Sequence, residues 1–175
     1  MEGNKVKKAR VSVLMGSASD LEAMQVCMET LRELDVECEP RILSAHRTPD
    51  ELRLYVQKAT GDGVQVFIAA AGLAAHLAGA VAAHTERPVI GVPMSAGTLG
   101  GMDSLLSTVQ MPAGLPVATV AIGKAGAVNA AILAAQILAL SDENLAQKLR
   151  AYRQSTAAKV KAADKALQEE KRDGG

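Results

Sequence analysis

Tryptophan is absent from this 175-residue chain, and one Phe with two Tyr brings the aromatic share to only 2%. Hydrophobic residues still make up 49% of it. The core must therefore be built from Ala, Val, Ile, Leu and Met, which requires thin helices and strands in close packing. An excess of either charge is also missing, with 19 basic residues against 19 acidic ones. That balance excludes the electrostatic footprint of a nucleic-acid or anionic-membrane binder. Gly, Pro, His or charged residues break every apolar run well short of a membrane span. Met1 to Arg10 is polar and carries no apolar signal-peptide region. Cys27 and Cys38 have no metal-ligand spacing and read as reduced structural thiols, which places the protein in the cytoplasm. The length fits one domain with a full core.

What the chain does contain is a recurring junction of strand, small polar turn and helix. The organising example is Ser44-Ala45-His46-Arg47-Thr48-Pro49-Asp50-Glu51. It follows an apolar run and precedes the helical pattern Leu52, Tyr55, Val56, Ala59. Thr48 with Glu51 reads as a capping box, and Pro49 fits the first helical position. A histidine and an arginine in such a turn, beside free helix N–H groups, suit an anionic substrate.

A second junction lies upstream. The strand from Arg10 to Met15 runs into Gly16-Ser17-Ala18-Ser19-Asp20, and Ser19 with Glu22 reads as the cap of an amphipathic helix. Gly16 permits close backbone approach to a ligand, Ser17 offers a donor to phosphate, and Asp20 an acceptor for sugar hydroxyls. The third junction follows the apolar strand Val64 to Ala70. There Ala71-Gly72-Leu73-Ala74-Ala75-His76-Leu77 brings small residues and a histidine to the start of an alanine-rich helix.

Between and beyond these lie the remaining elements. Val36 to Leu43 is a strand whose Pro40 marks it as a sheet edge, and Gly61 to Gly63 stops the helix before Val64. Pro88 to Val92 and Val117 to Ile122 are further strands, separated by a glycine-rich loop (Pro93 to Gly101) and a short helix. Gly126 to Leu140 has no polar face, so the expectation is burial against another subunit. Ser141 is the expected cap of a last helix of mixed charge, either a solvated or a subunit-clasping arm. Five strands alternating with helices predict a three-layer α/β/α sandwich around a doubly wound, five-stranded parallel sheet of flavodoxin-like order. In that arrangement the three turns share one rim.

Four segments together are more specific than the fold: G-S-A-S-D at 16–20, S-A-H-R-T-P-D at 44–50, A-G-L-A-A-H-L at 71–77 and D-S-L-L-S-T-V-Q-M-P at 103–112. On these the chain resembles the N5-carboxyaminoimidazole ribonucleotide mutases (the class I PurE family) over residues 10 to 155. Residues 1 to 9, expected to fray, and the end of the last helix and tail (156 to 175) fall outside. The resemblance implies an isomerase of de novo purine biosynthesis. It implies that His46 is catalytic, that Ser17 and Arg47 hold the phosphate, and that Asp20 holds the ribose. It further implies that Gly16, Ser19, Ser44, Ala45, Ala71, Gly72, Ala75, His76 and Leu77 line the substrate pocket. A homo-octamer using neither metal nor organic cofactor is implied as well.

The chain departs from the usual third turn, G-G-A-A-H-L-P-G-M, by carrying Leu73, Ala78 and Ala80 in place of Gly, Pro and Met. Leu73 is expected to narrow the pocket or displace the turn. A related branch carboxylates aminoimidazole ribonucleotide directly, with lysine after the turn histidine and no A-A-H-L segment. Arg47, Pro49 and His76 set this chain with the mutases. The rival readings are such a direct carboxylase, one acting on another heteroaromatic ribonucleotide, and a non-catalytic nucleotide-binding module on the same fold. A flavin module is disfavoured by the lack of aromatics to stack on the ring.

Overall fold

The computed structural model describes the backbone of residues 10–173 and the side chains of residues 10–169. The lead-in at residues 1 to 9 and the last two residues lie outside the described residues. Five parallel strands form one sheet: β1 (Val11–Met15), β2 (Cys38–Ile42), β3 (Val66–Ala71), β4 (Val89–Pro93) and β5 (Ala118–Thr119). Their spatial order is β2-β1-β3-β4-β5, the doubly wound order expected. Every residue of β1 and β4 is buried, as is β3 except its last, which is the signature of central strands covered on both faces. Pro40, opposite Val13, stands on the edge strand β2, where its missing N–H costs no ladder bond.

Alternation along the strands sorts the side chains into two cores. Val11, Val13 and Met15 of β1, with Val66, Ile68 and Ala70 of β3, face α1 (Leu21–Glu33) and α5 (Gly123–Ala139). Leu14, Phe67 and Ala69 face α2 (Pro49–Asp62) and α3 (Leu77–Ala82). The second core holds the single Phe and one of the two Tyr. Tyr55 Oη lies 2.9 Å from Ser12 Oγ, and the Arg41 guanidinium stacks over the ring at 4.7 Å. Burial, opposed by the Ser12 hydrogen bond, pushes the phenol up to about 12.

The shortage of aromatics is met by close approach. Gly91 of β4 lies under Thr108 of α4 (Met102–Val109) and under Val117; a Cβ there would come 2.9 Å from Val117 Cγ1. Helix α5 presents Ala127, Ala130, Ala131, Ala134 and Ala135 to the core, all fully buried.

Part of the burial expected for α5 is met within the chain. Its alanine face is covered by α1 and the sheet of its own chain, Leu133 and Ile137 are half-buried, and Lys124, Ala125 and Asn129 are exposed. Leu145, Leu149 and Tyr152 of α6 (Glu143–Asp173) add to the same core. Asn129 and Gln136 interrupt the apolar surface on one side of α5, and periodicity did not reveal that α6 folds back across the helix. From Arg153 to Glu169 α6 is exposed throughout. Among the described residues no helix is long and apolar enough to cross a membrane.

The local signals are displaced by a residue or two. Ser17, not Ser19, makes the cap, and it caps the 3-10 turn (Ala18–Asp20) that leads into α1: its Oγ accepts from Ser19 N–H, and the Asp20 carboxylate accepts from Ser17 N–H, closing a capping box. Thr48 precedes Pro49 as expected, but its hydroxyl accepts from Ser44 N–H instead of capping α2. Asp142, not Ser141, accepts from Leu145 N–H at the start of α6. β5 spans two residues in place of the six expected. Gly63 ends α2 in the left-handed conformation (φ 105°), as the glycine stop requires.

Gly126 offers a test of the packing around α5. A helical Gly→Ala change ordinarily stabilises by about 0.5–1 kcal/mol, yet a Cβ at Gly126 would fall on the Ala121 carbonyl oxygen. Gly126→Ala is therefore expected to destabilise by at least about 1–3 kcal/mol, read as a lower urea midpoint. A raised midpoint would contradict this packing.

Candidate functional site

All strands of a parallel sheet end on one rim, and the four segments leaving β1, β2, β3 and β4 meet there. The turn after β1 is drawn onto β3, with Gly16 N–H donating to Ala70 C=O at 2.9 Å. A Cβ at Gly16 would sit 3.4 Å from Ala71 Cβ, so backbone and turn are already close. This is the β1/β3 switch point of the sheet, where open α/β folds form their ligand crevice. The crevice has a volume of about 470 Å³.

Arg47 ties the first two turns together. Its Nη2 donates to Gly16 C=O at 3.1 Å, while its backbone N–H and Nε donate to Ser44 Oγ at 3.2 and 3.4 Å. The guanidinium has five N–H donors, so this anchoring leaves others for an anion in the cleft. Across from it, Ser19 Oγ donates to Ser17 Oγ at 2.9 Å. Asp20 is buried behind these hydroxyls; burial raises its carboxyl above the ordinary value, against the lowering effect of the Ser17 N–H.

His46 and His76 come from different turns and meet at 2.7 Å, Nε2 to Nδ1. Their rings are edge-to-face, with centroids 4.8 Å apart and planes at 80°. One nitrogen of that contact must carry the proton and the other the lone pair. Which ring donates depends on the tautomer, and either choice places one proton on the line between them.

Of the thirteen residues selected from the sequence, twelve line the crevice: Gly16, Ser17, Ser19, Asp20, Ser44, Ala45, His46, Arg47, Ala71, Gly72, His76 and Leu77. Ala75 does not; it is buried behind the turn, 1% exposed. Leu73 also lines the crevice, and so do Ala74 and Ala96, which the sequence did not single out. Ala96 lies in the glycine-rich loop after β4, and that position at a carboxyl strand end was the available signal. Among the described residues no group of three or more His, Cys, Asp or Glu is placed to hold a metal ion.

Leu73, expected to narrow the pocket or displace the turn, stands in the wall of the crevice. It takes a left-handed backbone (φ 56°) and remains 54% exposed at the mouth. Such a conformation costs a bulky residue about 1–3 kcal/mol. Its neighbour Gly72 abuts the next loop, where a Cβ would come 2.9 Å from Ala96 Cβ.

Comparison with known proteins agrees with this geometry. A family model described as AIR carboxylase matches residues 10–159. The N5-carboxyaminoimidazole ribonucleotide mutase of Bacillus subtilis is 56% identical over 146 residues, covering 83% of this chain and 90% of that protein. The mutase of Methanocaldococcus jannaschii is 51% identical over 159 residues, 91% of this chain and 98% of that one. Among solved structures, the crystal structure of Treponema denticola PurE matches with a TM-score of 0.81 and 30% identity, covering 90% of this chain and 97% of that chain.

The raised Asp20 carboxyl gives a stability test. A folded-state value above the ordinary 3.8 means that the folded protein binds this proton more tightly than the unfolded chain. The resulting stabilisation is complete below 3.8 and is lost as pH rises through the folded value. Asp20→Asn keeps an oxygen to accept from Ser17 N–H and removes the titration. The difference in urea midpoint is expected to move in favour of the variant as pH is raised above 3.8. A difference that stays constant with pH would show that the carboxylate is not desolvated.

Proposed function

The chain belongs to the AIR carboxylase family, and on that premise we propose that it is the isomerase of de novo purine biosynthesis that converts N5-carboxyaminoimidazole ribonucleotide. The carboxylate moves from the exocyclic nitrogen to ring carbon 4. The observation that carries the reading at the site is the His46–His76 contact opening onto the same crevice as Arg47, Ser17 and Asp20.

The chemistry needs what these residues offer. Breaking the N–carboxyl bond returns its electron pair to the exocyclic nitrogen, which takes up a proton, and carbon dioxide is released. The aminoimidazole left behind is electron-rich, and its ring carbon attacks the retained carbon dioxide. That carbon then gives up its proton, and aromaticity returns. One proton is delivered and one removed, with no net change and no redox step. A side chain titrating near neutrality suits both tasks, and His46 takes the role of proton carrier. His76, bonded to the other end of that proton path, fixes the ring of His46. Arg47 and Ser17 hold the phosphate through charge-assisted and hydroxyl hydrogen bonds, and Asp20 accepts from the ribose hydroxyls. The turn from Ala71 to Leu77 walls the small volume in which carbon dioxide waits, which is a proximity effect.

The working form is a homo-oligomer, an octamer by resemblance. Met102, Leu106 and Val109 of α4 and Leu140 after α5 support an assembly, since each is an exposed large apolar side chain. The free thiols of Cys27 and Cys38 fit the cytoplasm.

Two measurements test the reading. His46→Asn retains a hydrogen-bonding side chain but cannot shuttle a proton. Turnover is expected to fall by about 10²–10⁴ while nucleotide binding persists through Ser17, Asp20 and Arg47. Parental turnover in a folded, binding variant would remove His46 from the mechanism. Separately, the isomerisation is expected to run unimpaired after exhaustive chelation and without ATP. Activity lost to chelator and restored by added metal would overturn the cofactor-free scheme.

A further inference from the structure

Two non-glycine residues among those described have a left-handed backbone, Asp35 and Leu73. Asp is one of the types that visit this region with local hydrogen bonding. Leu has no such support, so its conformation is imposed by its surroundings. Those surroundings are the glycine-rich loop from Met94 to Gly101. A Cβ built on Gly97 would lie 2.7 Å from Leu73 Cδ2, so the leucine side chain occupies the space directly over the Gly97 backbone. One residue earlier, Gly72 sits against Ala96. The loop is otherwise held mainly at its ends: Ser104 Oγ reaches the Met94 and Gly101 carbonyls at 2.8 Å each, Met94 N–H donates to Ala71 C=O at 2.9 Å, and one long bond crosses the loop, from Ser95 Oγ to Gly100 C=O at 3.4 Å. Gly97, Gly100 and Gly101 are all left-handed, so the loop between these anchors has little rigidity of its own.

We propose that Leu73 is a positioning residue: it latches the 94–101 loop over the crevice, keeps Ala96 in the wall, and so limits escape of carbon dioxide during the reaction. This rests on the isomerase reading above. The latch acts between the two bond changes, after the N–carboxyl bond has broken and before the ring carbon has captured the carbon dioxide. Leu73 lies against Gly97 and is not among the residues assigned to phosphate, ribose or proton transfer. Its effect therefore falls on how each turnover partitions between carboxylated product and released aminoimidazole ribonucleotide.

The test uses Leu73→Ala and Leu73→Gly in the full-length protein. Leu73→Ala removes the contact with Gly97 but keeps a Cβ in the strained turn, and Leu73→Gly also relaxes the backbone. Hydrogen–deuterium exchange is expected to quicken across residues 94 to 101 in both variants, a measurement that needs no substrate. With carbamate substrate carrying a ¹³C-labelled carboxyl group, both are expected to raise the ratio of released aminoimidazole ribonucleotide to labelled product about threefold or more, as opening of a lid would. Unchanged exchange in the loop overturns the latch. Quickened exchange with an unchanged ratio overturns its role in retaining carbon dioxide. A higher ratio in Leu73→Gly alone assigns the effect to backbone freedom and also overturns it. If the parent protein itself fails to isomerise the carbamate, the functional reading falls, while the exchange measurement still decides whether Leu73 holds the loop.

Discussion

The bond from Gly16 N–H to Ala70 C=O continues the β1–β3 ladder one step past the end of β1. That extra step keeps the first turn pressed against the third before the chain enters its capping box. Arg47 then has the Gly16 carbonyl within reach, which ties the second turn to the first. His46, next in sequence to Arg47, is carried with it to His76. Thus three turns separated by tens of residues share one geometry because of a single backbone approach, at which a Cβ on Gly16 would come into contact with Ala71.

The composition bears on the same rim from below. A core nearly free of aromatics lets α5 lie against the sheet through alanines, and Gly91 lets α4 lie close over β4. Thin layers bring the helix starts close to the strand ends, so the turns between them are short. Short turns cannot wander, and the functional groups they carry are held by the sheet rather than by large side chains of their own.

Much of this was legible in the residues. The apolar run of β3 announced a central parallel strand, Pro40 announced an edge, and Pro49 and Gly63 bracketed α2. Twelve of the thirteen chosen site residues share the crevice because all three motifs follow strands, and strand ends of a parallel sheet coincide. What was not legible has physical reasons. Ser17 and Ser19 are both good caps, and pattern alone cannot say which hydroxyl the first N–H will find. Ser141 and Asp142 pose the same ambiguity. The cover over α5 depends on a fold-back of α6 that no local signal encodes. Ala96 has no chemistry of its own and matters only by where its loop lies. The sign of the Leu73 backbone was readable only from the glycine usual at its place in the turn, because leucine itself carries no left-handed signal.

The placement of the two tyrosines has a spectroscopic consequence. With no tryptophan in the chain, near-ultraviolet absorption and intrinsic emission come from Tyr55 and Tyr152. Tyr55 lies in the layer beneath α2, and Tyr152 packs from α6 onto the layer shared by α1 and α5. The protein thus carries one built-in chromophore on each side of its sheet. Burial pushes the Tyr55 phenol up to about 12, so its ionisation in alkali reports on the layer beneath α2. Loosening of one layer while the other stays packed can be followed optically without attaching any label.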